Sequence, residues 1–172
     1  MSRPPWIAFD RAVSLQLDLR APAAGGPATF DVRELGRDEV EPVLGAVPAL
    51  ARSLVVLDAV APSGWRCFAA FEGGAPVCAT FVELRPNRPL SFGSVTVPAG
   101  RGRGAFRAAI AVVTARLRDA GEVTLFGAVS GANRASLRAT AAAGFVVVRR
   151  TYDLRVRGVS LRAFARRLLR RR

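Results

Sequence analysis

The sequence predicts an α/β fold with a mixed, mostly antiparallel sheet flanked by helices, and three stretches predict it. Residues 65–71 and 77–83 read as strands on either side of Gly73-Gly74, the chemistry of a tight hairpin turn. Residues 90–97, a glycine and arginine cluster, residues 105–120 and residues 123–129 read as strand, loop, helix and strand, a βαβ unit. Residues 38–54 place Val40, Val43, Leu44, Val47, Leu50 and Ala51 at helical spacing, as one or two helices.

Taken in order, the chain opens with Val13, Leu15, Leu17 and Leu19 alternating on one face before an Ala/Pro/Gly segment at 21–28, which predicts an extra strand or arm over residues 1–28. Residues 29–35 follow as a strand. In the hairpin, central turn glycines would set Cys67 opposite Thr80 and Cys78 opposite Ala69, making the thiols diagonal neighbours on one face. A disulfide fits that geometry badly, and two small buried hydrophobes fit it well. The helix over 105–120 puts Phe106, Ile110, Val113 and Leu117 on one stripe. A second helix over 132–143 stops at Gly144, and residues 145–148 begin a terminal hairpin returning through 154–156.

Composition removes whole chemistries. The 172 residues hold no histidine and no lysine, so all 26 basic residues are arginine. There is no imidazole base, no Ser-His-Asp triad, no Schiff-base lysine and no Walker lysine. With two cysteines and no histidine, a structural zinc site lacks its usual ligands, and no metal is expected. The net charge of +13 is local: residues 155–172 hold eight arginines and no acid, which leaves 18 arginines against 13 acids elsewhere. No apolar run reaches the roughly 18 residues of a membrane span, and the first ten residues lack a signal-peptide core, so a cytoplasmic protein is expected.

The motif that carries chemistry is Val97-Pro98-Ala99-Gly100-Arg101-Gly102-Arg103-Gly104-Ala105-Phe106, between a strand and a helix. Backbone N–H groups at a helix start point outward and the helix dipole favours an anion, so this turn is a candidate phosphate cradle, the alternative being a basic loop before a helix. Arg101 and Arg103 add charge. Dinucleotide binding fits less well, because no acid follows a second strand about 20 residues on.

Hairpin, strand, this loop, helix, strand, and then Asn133-x-x-Ser136 leading to Gly144-Phe145 together resemble the GNAT superfamily of N-acetyltransferases over residues 29–158. The resemblance implies a central splayed pair of parallel strands in the sheet, with acetyl-CoA or another acyl-CoA as co-substrate. Its pyrophosphate would rest on the amides of Arg101, Gly102, Arg103, Gly104 and Ala105. The pantetheine arm would bond strand backbone around Val95 and Val97, where an N–H would also meet the oxyanion, and Asn133 and Ser136 would flank the cofactor. The family often places a tyrosine seven residues after the asparagine as acid; here Thr140 stands there. Phe106 also departs from the family's small residue. Tyr152, the only tyrosine, is expected at the terminal bend in a structural or substrate-lining role.

The candidate base is Glu83, on the face of Phe81 and, across the strand pair, Arg66; the alternatives are Glu72, Asp58, a water relay or no base. Its structural reading is an ion pair with Arg66 or Arg85. Arg85 and Arg88 favour an acidic or carboxylate-bearing acceptor within the broader class of small-molecule or peptide amines. Residues 159–172 are expected to form an Arg-rich amphipathic helix capped by Ser160, either packed on the body or docking on an anionic surface or acidic protein. Nucleic acid is the least supported partner, since Phe164 is the one aromatic there. Two functions follow: an acyl-CoA-dependent N-acyltransferase, in which an amine attacks the thioester directly, or a catalytically weak CoA-binding or interaction module of the same fold.

Overall fold

The computed structural model describes residues 7–22, 29–54, 64–85, 87–156 and 159–160. In chain order its elements are β1 (Ile7–Asp18), β2 (Asp31–Leu35), α1 (Arg37–Gly45), α2 (Pro48–Leu54), β3 (Trp65–Glu72), β4 (Ala75–Glu83), β5 (Leu90–Thr96), a 3₁₀ turn (Pro98–Gly100), α3 (Ala105–Asp119), β6 (Thr124–Ser130), α4 (Arg134–Ala142), β7 (Val146–Val156) and β8 (Val159–Ser160). The strands form one sheet in the order β2-β3-β4-β5-β6-β1-β7-β8. Every neighbouring pair is antiparallel except β5 and β6, which run parallel.

The first strand is interior rather than peripheral. β1 pairs antiparallel with β6 along one edge and with β7 along the other. Its alternation explains the placement, because Val13, Leu15 and Leu19 are buried with Ile110, Val113 and Leu117 of α3. Arg118 then donates from α3 to the carbonyls of Leu19 and Ala21, fastening the strand's end. The expected terminal hairpin is instead one strand, β7, since the run Val146-Val147-Val148 and Thr151 favours extension and holds no glycine or proline to turn it. Among the described residues the return is the two of β8. Residues 161–172, the bulk of the expected basic helix, lie outside the described residues, and Ser160, its expected cap, is the last residue of β8.

Helices cover both faces. On one, α3 buries Ala105, Ala108, Ile110, Val113 and Leu117 against Phe68, Ala70, Cys78 and Val82. On the other, Val40, Leu44 and Leu50 of α1 and α2 pack on Cys67, Ala69, Phe71, Ala79 and Phe81. The 38–54 stretch breaks into two helices just before Pro48, which suits a helix start because its missing N–H is not needed there.

Cys67 packs under α1 and α2 and Cys78 under α3, and the hairpin register is the cause. Glu72 pairs with Ala75, as Gly73-Gly74 predicts, and Phe71 with Pro76. A bulge then intervenes, so that Ala70 pairs with Cys78 and Cys67 with Phe81. It sits beside Pro76, which has no N–H to give the ladder. A one-residue slip sends a side chain to the other face. The thiols therefore lie on opposite faces of the sheet, not diagonally on one.

Candidate active site

β5 and β6 pair only through Leu90 with Phe126 and Ser91 with Gly127. Residues 92–96 and 128–130 then run on without pairing to each other, so a parallel pair that is joined at its start opens toward its end. β5 leads directly from this opening into the 3₁₀ turn and the N-terminus of α3.

A bulge shapes the opening. Gly93 and Ser94 together face Thr80, because Ala79 pairs with Val95 but Phe81 with Phe92. Gly93 makes this possible with φ at +59°, where a Cβ would also stand 3.2 Å from the Phe81 ring. Thr80 fills the gap from the α3 side with hydroxyl contacts to Ser94 at 2.7 Å and Ser91 at 3.2 Å. Beyond the bulge, Val97 N–H donates to the Val77 carbonyl at 2.9 Å. Successive strand residues turn their N–H groups to alternate neighbours, so Val95 turns its own toward β4 as well, and Ser94 and Thr96 turn theirs to the open side. Consistent with that, the Thr96 carbonyl is reached by Arg101 Nε at 3.2 Å. Strand alternation thus directs the expected donors, Val95 and Val97, away from the opening and brings Ser94 and Thr96 to it.

The glycine-rich turn delivers N–H groups at the same end. Gly104 caps α3 with φ at +89°, a left-handed conformation that a side chain resists. The first turn of the 15-residue helix, starting at Ala105, leaves N–H groups without intrahelical acceptors. Gly102 has positive φ and open space where a Cβ would stand. The two arginines differ. Arg103 makes a two-pronged ion pair with Glu72, one arm at 2.6 Å, and lies over Phe30, whereas Arg101 leans only on a neutral carbonyl. Phe106 packs between the two clusters under α3.

Asn133 caps α4, its Oδ1 accepting from Ser136 N–H at 3.0 Å. The pair is therefore local, and the cap uses the asparagine's oxygen rather than its amide N–H groups. Thr140 is buried, and its hydroxyl donates to the helix carbonyls of Ser136 and Leu137 at 3.0 and 3.1 Å. Tyr152 stands in mid-strand on β7 with 66% exposure, not at a bend.

Glu83 ends β4 on the α1–α2 face with 1% of its side chain exposed. Its cross-strand partner is Trp65 rather than Arg66, another consequence of the hairpin bulge. Of the two arginines expected beside it, Arg85 places a nitrogen 2.7 Å from Oε2 while Arg66 pairs with Glu34 at 3.5 Å. Neither Glu83 oxygen accepts a well-aligned hydrogen bond, and Trp65 Nε1 also lacks an acceptor. Sequence reasoning missed Ser94, Thr96 and Trp65 because each depends on a bulge. The isolated Gly93 inside a strand pattern was the available signal for the first two.

Burial pushes the Cys67 thiol up to about 12, with Cys78 adding to the effect. Burial likewise pushes Cys78 up to about 11, against the opposing pull of a hydrogen bond from Thr96. Neither is a thiolate near neutral pH, so neither suits nucleophilic work. A cavity of about 270 Å³ lined by Arg66, Val82, Arg85, Arg116 and Glu122 lies at the C-terminal end of α3, the opposite end of that helix from the glycine turn. Among the described residues, no helix is long and apolar enough to cross a membrane.

No protein-family model and no curated protein matches the chain. Solved structures do. An acetyltransferase of the GNAT family from Novosphingobium aromaticivorans matches with a TM-score of 0.58 and 22% identity, over 90% of this chain and 69% of that one. A GCN5-related N-acetyltransferase-like protein from Streptococcus suis gives 0.61 and 16%, over 88% and 63%. A GCN5-related N-acetyltransferase from Sphaerobacter thermophilus gives 0.60 and 18%, over 89% and 54%. The chain spans from 53% to 69% of the lengths of these and similar structures. By this likeness the chain has the fold of the GNAT acetyltransferases.

Proposed function

We propose that the chain is an acyl-CoA-dependent N-acyltransferase, with acetyl as the transferred group. The observation that carries the reading is the β5–β6 pair, which parts after two residue partners and ends on the N-terminus of α3. The N–H groups of Gly102, Arg103, Gly104 and Ala105 would hold the pyrophosphate, with Arg101 as the more available cation. Ser94 and Thr96 would offer backbone N–H groups to the pantetheine arm and to the oxyanion, in place of Val95 and Val97. The amide of Asn133 and the neighbouring Ser136 would border the cofactor.

The acyl-CoA supplies a thioester: the acceptor nitrogen bonds to the acyl carbon, the C–S bond breaks, and the thiolate departs as the amine loses a proton. Glu83 is the proposed proton acceptor, since its carboxylate is buried without aligned donors. Thr140 has no part in proton donation, because its hydroxyl is committed to helix carbonyls. A missing acid is tolerable. Acid–base assistance is worth about 10²- to 10⁴-fold, whereas positioning supplies effective molarities of about 10⁵ to 10⁸ M.

The engaged Thr140 hydroxyl is also what favours the second reading, a weak or inactive CoA-binding module. Calorimetry with acetyl-CoA, followed by thiol release across an amine panel, separates the two. Binding with release supports the enzyme; binding without release under every acceptor supports the module. The reading falls if acetyl-CoA does not bind, or if Gly104→Val, checked for folding by circular dichroism, binds it undiminished. Arg101→Gln, which strains no backbone, is the companion variant and should weaken binding.

A further inference from the structure

One line of register partners crosses the sheet on the α1–α2 face: Trp65 beside Glu83, Glu83 beside Leu90, Leu90 beside Phe126. The line ends at the residues where β5 and β6 begin to part. Arginines stand over both of its aromatic ends, with the Arg37 guanidinium 5.1 Å from the Trp65 ring centroid and that of Arg88 5.2 Å from Phe126. Between them Arg85 reaches Glu83. Arg85 and Arg88 are held together by a turn in which Arg88 N–H donates to the Arg85 carbonyl at 3.0 Å, with Asn87 at φ +57°. Such a turn keeps its first and fourth Cα atoms within about 7 Å.

The charges on this face are unevenly spent. Glu83 is buried, with one oxygen 2.7 Å from Arg85 and neither oxygen in an aligned hydrogen bond. Burying a carboxylate that way is costly unless something supplies N–H groups. Arg88 carries the complementary lack: among the described residues, ion pairs occupy Arg20, Arg66, Arg85 and Arg103, and Arg88 is in none of them. On α1, Glu39 is turned to the Gly36 N–H at 2.7 Å, and among the described residues none of the acids of that helix, Asp38, Glu39 and Glu41, forms an ion pair with Arg88.

We propose that the acceptor is an amino acid or a similarly compact amine bearing a carboxylate, with its amine at Glu83 and its carboxylate on Arg88. The proposal rests on the N-acyltransferase reading and names the substrate class of that same site. The span agrees. Glu83 on β4 and Phe126 under Arg88 on β6 are two strand spacings apart, roughly 10 Å. That backbone spacing keeps the two on one short stretch of the face, which suits an acceptor whose amine and carboxylate lie close together. A guanidinium fork matches a carboxylate, while the cluster of Arg37, Arg85 and Arg88 repels a polycationic acceptor.

The test uses the full chain, acetyl-CoA and matched acceptors: phenylalanine, phenylalaninamide and phenethylamine, with β-alanine, β-alaninamide and propylamine as a smaller set. Thiol release is followed for each. The acids should exceed their neutral-ended partners in kcat/KM by about 10- to 100-fold, the worth of a charge-assisted contact. Arg88→Gln should erase that preference by raising KM for the acids far more than for the amides, with the KM for acetyl-CoA held. Amides or simple amines turning over as well as acids would overturn the proposal, as would an Arg88→Gln variant that keeps the preference. If acetyl-CoA binds but no acceptor of either set releases thiol, this acceptor class is wrong while cofactor binding stands. If acetyl-CoA does not bind, the N-acyltransferase reading itself fails.

Discussion

Arg103 reaches out of the glycine turn to hold Glu72 at the end of the β3–β4 hairpin, one nitrogen 2.6 Å from Oε2. The carboxylate raises the basicity of the guanidinium through that hydrogen bond and its charge. A phosphate approaching the turn must compete with Glu72 for Arg103, but only with a neutral carbonyl for Arg101. Arg101→Ala should therefore weaken acetyl-CoA binding more than Arg103→Ala does, by calorimetry under one salt condition. The ion pair is exposed, so Glu72→Gln should change stability by no more than about 1 kcal/mol. An Arg103→Ala variant that loses more affinity than Arg101→Ala would show that the arginine leaves Glu72 for the cofactor.

Thr140 donates its hydroxyl proton to carbonyls in its own helix. Thr140→Ala should accordingly keep kcat within a few-fold, and Thr140→Tyr could gain activity only by repacking a buried site. A loss above roughly 10³-fold in kcat for Thr140→Ala, with folding intact, would make it a participant after all.

The sequence was legible wherever pattern is local. Hairpin turn, glycine loop, the stripe of α3 and its βαβ context all follow from spacing and turn chemistry, and each element lies within a few residues of its expected place. What spacing could not reveal was register. The bulge beside Pro76 turned Cys78 to the face opposite Cys67 and gave Glu83 the neighbour Trp65, and the bulge at Gly93 chose which N–H groups face the opening. A bulge adds one residue without changing composition, so alternation read from the turn outward stays right only until the first one. Long-range pairing was equally hidden: the alternation of β1 announces a strand with one apolar face, but not that β6 and β7 will accept it between them.

The thiols give a pH signature. Both folded-state values lie above the ordinary 9.0, at about 12 for Cys67 and about 11 for Cys78, chiefly through burial. The sign follows from proton counting: above pH 9 the unfolded chain loses thiol protons that the folded chain keeps, so folding weakens as pH rises. Their contribution is whole below pH 9 and is lost progressively as pH climbs toward about 11 to 12. Melting temperature should fall over that window, and fall less steeply in a Cys67→Ala, Cys78→Ala double variant. Equal slopes would assign the alkaline loss to other groups. At pH 8 neither thiol of the folded protein should react readily with a thiol reagent.

Leu15 tests whether β1 is truly part of the core. It is 3% exposed, lies beside Gly127 of β6 and Val147 of β7, and packs in the cluster formed with α3. Truncating a buried leucine costs about 2–5 kcal/mol, through lost transfer energy and the cavity left behind. Leu15→Ala should therefore lower the urea midpoint markedly, while Leu84→Ala, at a side chain 39% exposed, should cost far less. A detachable arm would behave otherwise, since shedding it would leave the remaining sheet nearly as stable. Equilibrium unfolding followed by fluorescence and far-UV circular dichroism distinguishes the cases: one cooperative transition shifted as a whole marks an interior strand, and an unchanged midpoint for Leu15→Ala would return residues 7–18 to the periphery.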